Sequence, residues 1–227
     1  PPRLGERYEL TGWIGAGAMG SVFLAQDSVR GHAVALKTLA RVGQEKIRGF
    51  KQEFRVASEL HHANLVRLYD LGESAGTWYF TMEYVDGVDL ECAAQRGGDD
   101  LRPLLSQLLD GLEFLHAGGI LHRDLKPQNI VVDGSGQLRI LDFGIARGRT
   151  DIWVRGVVGT PAYTAPEIVV GQGACAASDL YSVGVTLYQL LTGTLPFTGS
   201  WPEVLNAHVG KEAPALCARS DIPADLA

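Results

Sequence analysis

Four polar residues close together could do chemistry in this chain. Asp124, Lys126 and Asn129 stand in the run His122-Arg123-Asp124-Leu125-Lys126-Pro127-Gln128-Asn129, and Asp142 opens Asp142-Phe143-Gly144 shortly after it. The intervening residues are Ile130-Val131-Val132, a turn at Asp133-Gly134-Ser135-Gly136, and Leu138-Arg139-Ile140-Leu141. They read as a β-hairpin, two apolar runs split by turn residues. A hairpin returns its far end to its start, which would place Asp142 beside Asp124. Two acids, one lysine and one carboxamide then converge on a small site. Oxygen donors suit a hard divalent cation, and an ammonium beside them can neutralise a phosphate. An apolar hairpin alone requires none of these four polar groups.

The elements upstream fit the same site. Gly15, Gly17 and Gly20 form a GxGxxG string between the apolar runs around Trp13-Ile14 and Val22-Phe23-Leu24-Ala25. Glycines let backbone amides approach phosphates without side chains in the way. The string alone is weak, since a dinucleotide fold or a flexible hairpin gives it too. A strand follows it here, where a dinucleotide fold would have a helix. The next strand, Ala33 to Leu39, is apolar on both sides of Lys37, so Lys37 needs a partner or an edge position. The helix Glu45–Leu60 follows from Ile47, Phe50, Phe54, Ala57 and Leu60 at three- and four-residue steps. Glu53 falls on that apolar stripe and calls for a cation, with Lys37 the obvious one. Glu45, at the helix start, and Glu59, off the stripe, are the rival acids.

Taken together, His-Arg-Asp-Leu-Lys-Pro-Gln-Asn, Asp-Phe-Gly, the glycine loop, Val34-Ala35-Leu36-Lys37 and Ala165-Pro166-Glu167 resemble the catalytic domain of protein kinases of the bacterial, eukaryotic-like serine/threonine type. The resemblance covers nearly the whole chain. It implies an α+β, bilobal kinase fold: a small β-rich N-lobe with one helix over 1–84, and a larger, mainly helical C-lobe over 85–227. It also implies that further helices would follow Ala227, among them an Arg to pair with Glu167. Glu167 is therefore expected to lack its partner here.

The same resemblance assigns roles. Asp124 would accept or orient the substrate hydroxyl proton, and Lys126 would neutralise the γ-phosphate. Asn129 and Asp142 would hold Mg²⁺, or Mn²⁺ in its place. Lys37, paired with Glu53, would hold the α- and β-phosphates of ATP. Ile14, Gly15, Gly17, Gly20, Val22, Ala35 and Val131 would enclose the nucleotide. The stretch Met82-Glu83-Tyr84-Val85-Asp86-Gly87 resembles the hinge: Glu83 and Val85 would meet the adenine edge, Met82 would act as gatekeeper, and Asp89 would lie near the ribose. Asp179 resembles the acid that braces the catalytic loop.

Lys126 in Asp-Leu-Lys-Pro-Gln-Asn, and Thr160 before Ala-Pro-Glu, are the serine/threonine form of these motifs. Gln128 stands where kinases that prefer basic substrates often carry an acid, so this position gives no claim for a basic motif. Arg123 resembles the arginine that an activation-segment phosphate neutralises. Among Thr150, Thr160 and Thr164, Thr150 is the expected phosphosite; a loop that needs no phosphate is the alternative.

Composition sets the bounds. The chain has 227 residues, a net charge of −6 and an apolar fraction of 46%. That permits a large core and argues against a general nucleic-acid binder, which would show a basic excess. Cys92, Cys175 and Cys217 are far apart and read as reduced thiols of a cytoplasmic protein. No run is long and apolar enough to span a membrane. Since the chain starts at Pro1, it is expected to belong to a larger multidomain protein. Its expected partners are protein substrates and ATP. Two other readings remain: a pseudokinase, which loss of Lys37, Asp124, Asn129 or Asp142 would signal, and a small-molecule kinase, which would not carry these motifs at these separations.

Overall fold

A computed structural model describes residues 2–17, 20–39, 44–96, 100–143 and 161–216. Its first layer is a curled antiparallel sheet in the order β1-β2-β3-β4-β6-β5. The strands are β1 (Arg3–Leu4), β2 (Tyr8–Gly17), β3 (Gly20–Asp27), β4 (His32–Thr38), β5 (Leu68–Ser74) and β6 (Thr77–Glu83). One helix, α1 (Gln44–Ser58), lies between β4 and β5 in the chain.

β4 explains its own poor alternation. It is a central strand, paired with β3 on one side and β6 on the other. Val34 and Leu36 pack outward with Tyr8 and Ala25, while Ala35 joins the main core on the opposite face. A strand buried on both faces reads as a continuous apolar run. Lys37 shares the Ala35 face, because side chains alternate along a strand.

α1 lays Ile47, Phe50, Phe54 and Ala57 into the same core. Phe50 and Phe54 each place a ring centroid 5.9 Å from that of Phe80 on β6. The segment between α1 and β5 crosses to the second lobe. Val66 N donates to the Ile140 carbonyl at 3.0 Å, and Ile140 N donates to that of Asn64 at 2.8 Å. One hydrophobic cluster therefore runs from Ala35, Phe54 and Phe80 through Leu65 to Leu112, Ile140, Phe143 and Val183.

The second lobe begins with β7 (Gly87–Asp89) and α2 (Leu90–Arg96), then α3 (Arg102–Ala117). The expected hairpin forms as β8 (Ile130–Asp133) and β9 (Leu138–Ile140), and β7 adds a third strand beside β8. α4 (Pro166–Val169), α5 (Ala176–Thr192) and α6 (Trp201–Gly210) follow. Ser200 and Glu203 form a capping box at the start of α6. β7 and α2 were not expected, since the sequence placed the hinge at 82–87 and marked no element between it and the helix beginning near Leu101. Among the described residues no helix is long and apolar enough to cross a membrane.

Candidate active site

Asp179, from the first turn of α5, is buried under the loop that carries Asp124. One of its carboxylate oxygens accepts the backbone N–H of His122 at 2.8 Å, and the other that of Arg123 at 2.9 Å. His116 Nε2, near the end of α3, adds a third contact at 2.8 Å. Asp179 thus braces the loop as expected, with His116 a participant that the sequence did not announce. Arg123 is held at φ +67°. That conformation costs energy for a residue with a Cβ and persists only where the surroundings enforce it.

His122 ties this loop to the end of β9. Its Nδ1 accepts the Asp124 N–H at 3.2 Å, so the ring proton sits on Nε2, which donates to the Leu141 carbonyl at 2.9 Å. Burial holds His122 below the ordinary imidazole pKa. A neutral ring suits this pattern, with one nitrogen accepting and the other donating.

Three of the four chemical groups are in contact, and the hairpin returns the chain so that the residue before Asp142 bonds to Asn129. Asn129 Nδ2 donates to the Asp124 carbonyl at 2.7 Å and lies 3.3 Å from its carboxylate. Lys126 Nζ lies 3.4 Å from the same carboxylate. Leu141 N donates to the Asn129 carbonyl at 2.8 Å, which fixes Asp142 next to the catalytic loop. Asp142 itself stands at φ +56°. The side chains of Asp124 and Asp142 keep 25% and 26% exposure, so both acids remain accessible to solvent.

Lys37 reaches into this group, and here the expectation needs correction. Among the described residues the ion pair of Lys37 is made with Asp142, not with Glu53. Glu53 is half-buried on α1 and has an interaction of its own. One ammonium faced two acids, and it pairs with the acid held firmly at the end of β9. Glu59 is exposed, in keeping with its place off the stripe.

The residues expected to enclose the nucleotide are spread over β2, β3, β4, β6, β7 and β8 and the segment that joins the lobes. Gly15 pairs with Val22 and Gly17 with Gly20, so the glycine string is the tip of a β-hairpin rather than a strand-to-helix turn. Ala35 and Met82 are cross-strand neighbours, 6% and 5% exposed. Val22 and Val85 pack against the same cluster. Val131 is half-buried on β8, opposite Asp89 in the register. Ile14 is largely exposed at the rim. Glu83 N donates to the Arg67 carbonyl at 2.8 Å.

Asp89 proves to be the N-terminal cap of α2, accepting the Cys92 N–H at 2.8 Å. Gly87 was not singled out as a site residue. A Cβ there would come 2.4 Å from the Val132 carbonyl oxygen and 2.8 Å from Val131. Only glycine lets the chain leave the hinge this close to β8.

Glu167 does not go unpartnered. It accepts a hydrogen bond from the Ser178 hydroxyl, and the Cys175 thiol lies 3.9 Å away. Gly144, Thr150, Thr160 and Cys217 lie outside the described residues.

Comparison with known proteins agrees with this geometry. The family model described as protein kinase domain matches residues 8–222. The serine/threonine-protein kinase PrkC of Bacillus subtilis is 36% identical over 225 residues, covering 94% of this chain and 35% of the relative. PksC of Streptomyces coelicolor, also a serine/threonine-protein kinase, is 40% identical over 243 residues, 97% of this chain and 44% of the relative. PknB of Mycobacterium tuberculosis is 38% identical over 246 residues, 100% of this chain and 39% of the relative. The chain therefore spans well under half the length of these relatives. With a bilobal fold, a braced catalytic loop and a family match over almost its whole length, the chain belongs to the protein kinase family.

Proposed function

We propose that this domain transfers the γ-phosphate of Mg·ATP to serine or threonine hydroxyls of proteins, in bacterial signalling. The observation that carries the reading is the joint placement of Asp124, Asn129 and Asp142, which Asp179 and His122 lock from behind. Asp124 is the acceptor of the substrate hydroxyl proton. Lys126, on the same side of that carboxylate, faces the oxygens where charge builds up.

The residues suit the metal and the nucleotide. Asp142 and Asn129 offer oxygen donors to Mg²⁺ or Mn²⁺. Among the described residues no group of three or more His, Cys, Asp or Glu side chains could hold a metal ion. Two protein donors would leave the rest of the coordination shell to phosphate oxygens and water. Mg·ATP, when bound, supplies the phosphoryl group and the cation that offsets its charge. Lys37, already beside Asp142, binds the α- and β-phosphates. Ala35, Met82, Val22 and Val131 enclose the adenine, and Glu83 and Val85 offer it backbone groups. Asp89 faces the ribose, and the hairpin of Gly15, Gly17 and Gly20 covers the phosphates and excludes water. Catalysis on this account is positioning and charge compensation rather than covalent chemistry.

Lys126 and Thr160 favour serine or threonine over tyrosine as acceptor. We place the domain in the cytoplasm, within a larger protein, in keeping with the relatives' greater length. Phosphorylation of Thr150 would order the segment around it against Arg123, and an unchanged initial rate and lag in Thr150→Ala would remove that idea. Labelled γ-phosphate supplied with Mg²⁺ should enter the domain itself and a generic basic protein, and Asp124→Asn should abolish it. ATP binding without incorporation would instead favour a pseudokinase, and labelling of small alcohols but not of proteins a small-molecule kinase.

A further inference from the structure

α5 carries polar side chains at Asp179, Ser182, Thr186 and Gln189, at steps of three, four and three residues along the helix. Such spacing puts them on one face. Asp179 holds the catalytic loop. Ser182 Oγ donates to the Tyr163 carbonyl at 2.8 Å, and the Tyr163 hydroxyl donates to Gln189 Oε1 at 2.5 Å. One helix face therefore carries both the loop with Asp124 and the segment 161–165.

Gln189 continues the chain of contacts. Its Nε2 donates to Glu91 Oε2 at 3.3 Å, and Glu91 lies in the first turn of α2, the helix capped by Asp89. The chain has a direction. An ionised carboxylate only accepts, so Glu91 obliges Gln189 to turn its amide nitrogen toward it. The amide oxygen is then left for Tyr163, whose hydroxyl must donate. Tyr163 is 7% exposed, and burial and Glu91 push its hydroxyl up to about 12, so it keeps its proton.

We propose that Glu91, Gln189 and Tyr163 are positioning residues for the protein acceptor, a directed relay that sets segment 161–165 at a fixed distance from Asp124. The inference rests on the protein-kinase reading, in which this segment, next to Thr160, lies alongside the acceptor. It adds that the beginning of α2, on the nucleotide side of the cleft, helps to hold the acceptor side.

The test is a swap. Gln189→Glu places two carboxylates face to face and breaks the relay. Glu91→Gln with Gln189→Glu rebuilds it with the charge moved: the new amide donates to the new carboxylate, which still accepts from Tyr163. With myelin basic protein as acceptor, Gln189→Glu should raise the acceptor KM about five-fold, as for a pair of coupled contacts. Its kcat and ATP KM should stay near wild type. Amide exchange in 162–165 should quicken, and the double variant should return both readouts to wild type. Tyr163→Phe, which removes a single hydroxyl, should raise the acceptor KM with little change in the unfolding midpoint, and it stands in should Gln189→Glu fail to fold. An unchanged acceptor KM in Tyr163→Phe, or a double variant no better than the single one, overturns the relay. Absence of phosphate transfer by the wild type would instead strike the protein-kinase reading, and the amide exchange would still judge the relay by itself.

Discussion

His122 Nε2 lies 2.9 Å from the Leu141 carbonyl oxygen, and this bond joins the loop of Asp124 to the strand end that carries Asp142. The companion bond on the same ring, from the Asp124 N–H to Nδ1 at 3.2 Å, depends on an uncharged imidazole. Burial holds both His122 and His208 below the ordinary imidazole value. An unfolded histidine, with a pKa of about 6.5, takes up a proton that the folded one resists. The stability contributed by these rings is therefore present above about pH 6.5 and is lost as the pH falls below it, toward the folded values. The thermal midpoint should be level at mildly alkaline pH and fall as the pH drops below about 6.5. His208→Gln should flatten part of that slope, and an unaltered slope would dismiss His208 as a contributor.

Arg7 grips Asp27 through two bonds of 2.7 Å, and the Asp27 side chain has no exposed surface. The Arg7 guanidinium holds that carboxyl down to about 2. The backbone N–H groups of Val29 and Arg30 and the Arg30 side chain share the carboxylate, which tempers the loss. Arg7→Ala should cost about 3 kcal/mol, the lower end of the range for breaking a buried pair. Denaturant unfolding would measure it, and a loss under about 0.5 kcal/mol would class the pair with surface ion pairs.

Lys37→Met should leave the fold intact and remove the ammonium proposed to bind the phosphates. The expected fall in kcat/KM is about 10²–10³-fold, as for a lost preorganised electrostatic contact. Because Asp142 also loses its partner, nucleotide affinity measured without turnover should drop as well. A variant that keeps wild-type kcat/KM would remove Lys37 from the site.

Gly87→Ala should strike the hinge. The added methyl meets the Val132 carbonyl at 2.4 Å, and backbone does not swing aside as a flexible side chain would. Overpacking of this kind costs about 1–3 kcal/mol. β7 should shift off β8, with a rise in ATP KM larger than any fall in kcat. Wild-type stability and KM together would count against the close approach.

Among the described residues the Thr186 hydroxyl has no hydrogen-bond partner, and it faces an apolar cavity of about 20 Å³ lined by Leu90, Leu105, Leu108, Val183 and Leu190. A buried hydroxyl left unsatisfied costs about 1–3 kcal/mol. Thr186→Val should therefore stabilise the domain by about 1 kcal/mol, or roughly 2–4 °C in midpoint for a chain of this size. A lower midpoint would mean that the hydroxyl has a use.

The elements that carry the chemistry were legible because each is a local pattern. The hairpin of β8 and β9 follows from two apolar runs and a Gly-rich turn, and α1 from the spacing of Ile47, Phe50, Phe54 and Ala57. β7 and α2 were missed because three strand residues and seven helix residues are too few to establish a period. The choice of Asp142 over Glu53 by Lys37 was not legible either, since spacing puts both acids within reach and tertiary position decides. His116 and Asp179 are 63 residues apart, and nothing local marks their contact. Glu167 was expected to want for an arginine and instead takes the hydroxyl of Ser178, because α5 starts beside it.

The left-handed backbone at Asp142 has a practical meaning for anyone making a dead enzyme. Aspartate and asparagine tolerate that conformation better than other residues with a Cβ. Asp142→Ala therefore alters backbone preference and charge together, and its phenotype mixes the two. Asp142→Asn preserves shape and backbone and deletes only the charge, which makes it the cleaner control. The same asymmetry acts on descent: a copy of this gene released from selection for catalysis would lose Asp142 to asparagine more readily than to bulkier residues, and an Asn-Phe-Gly in a relative would mark that route.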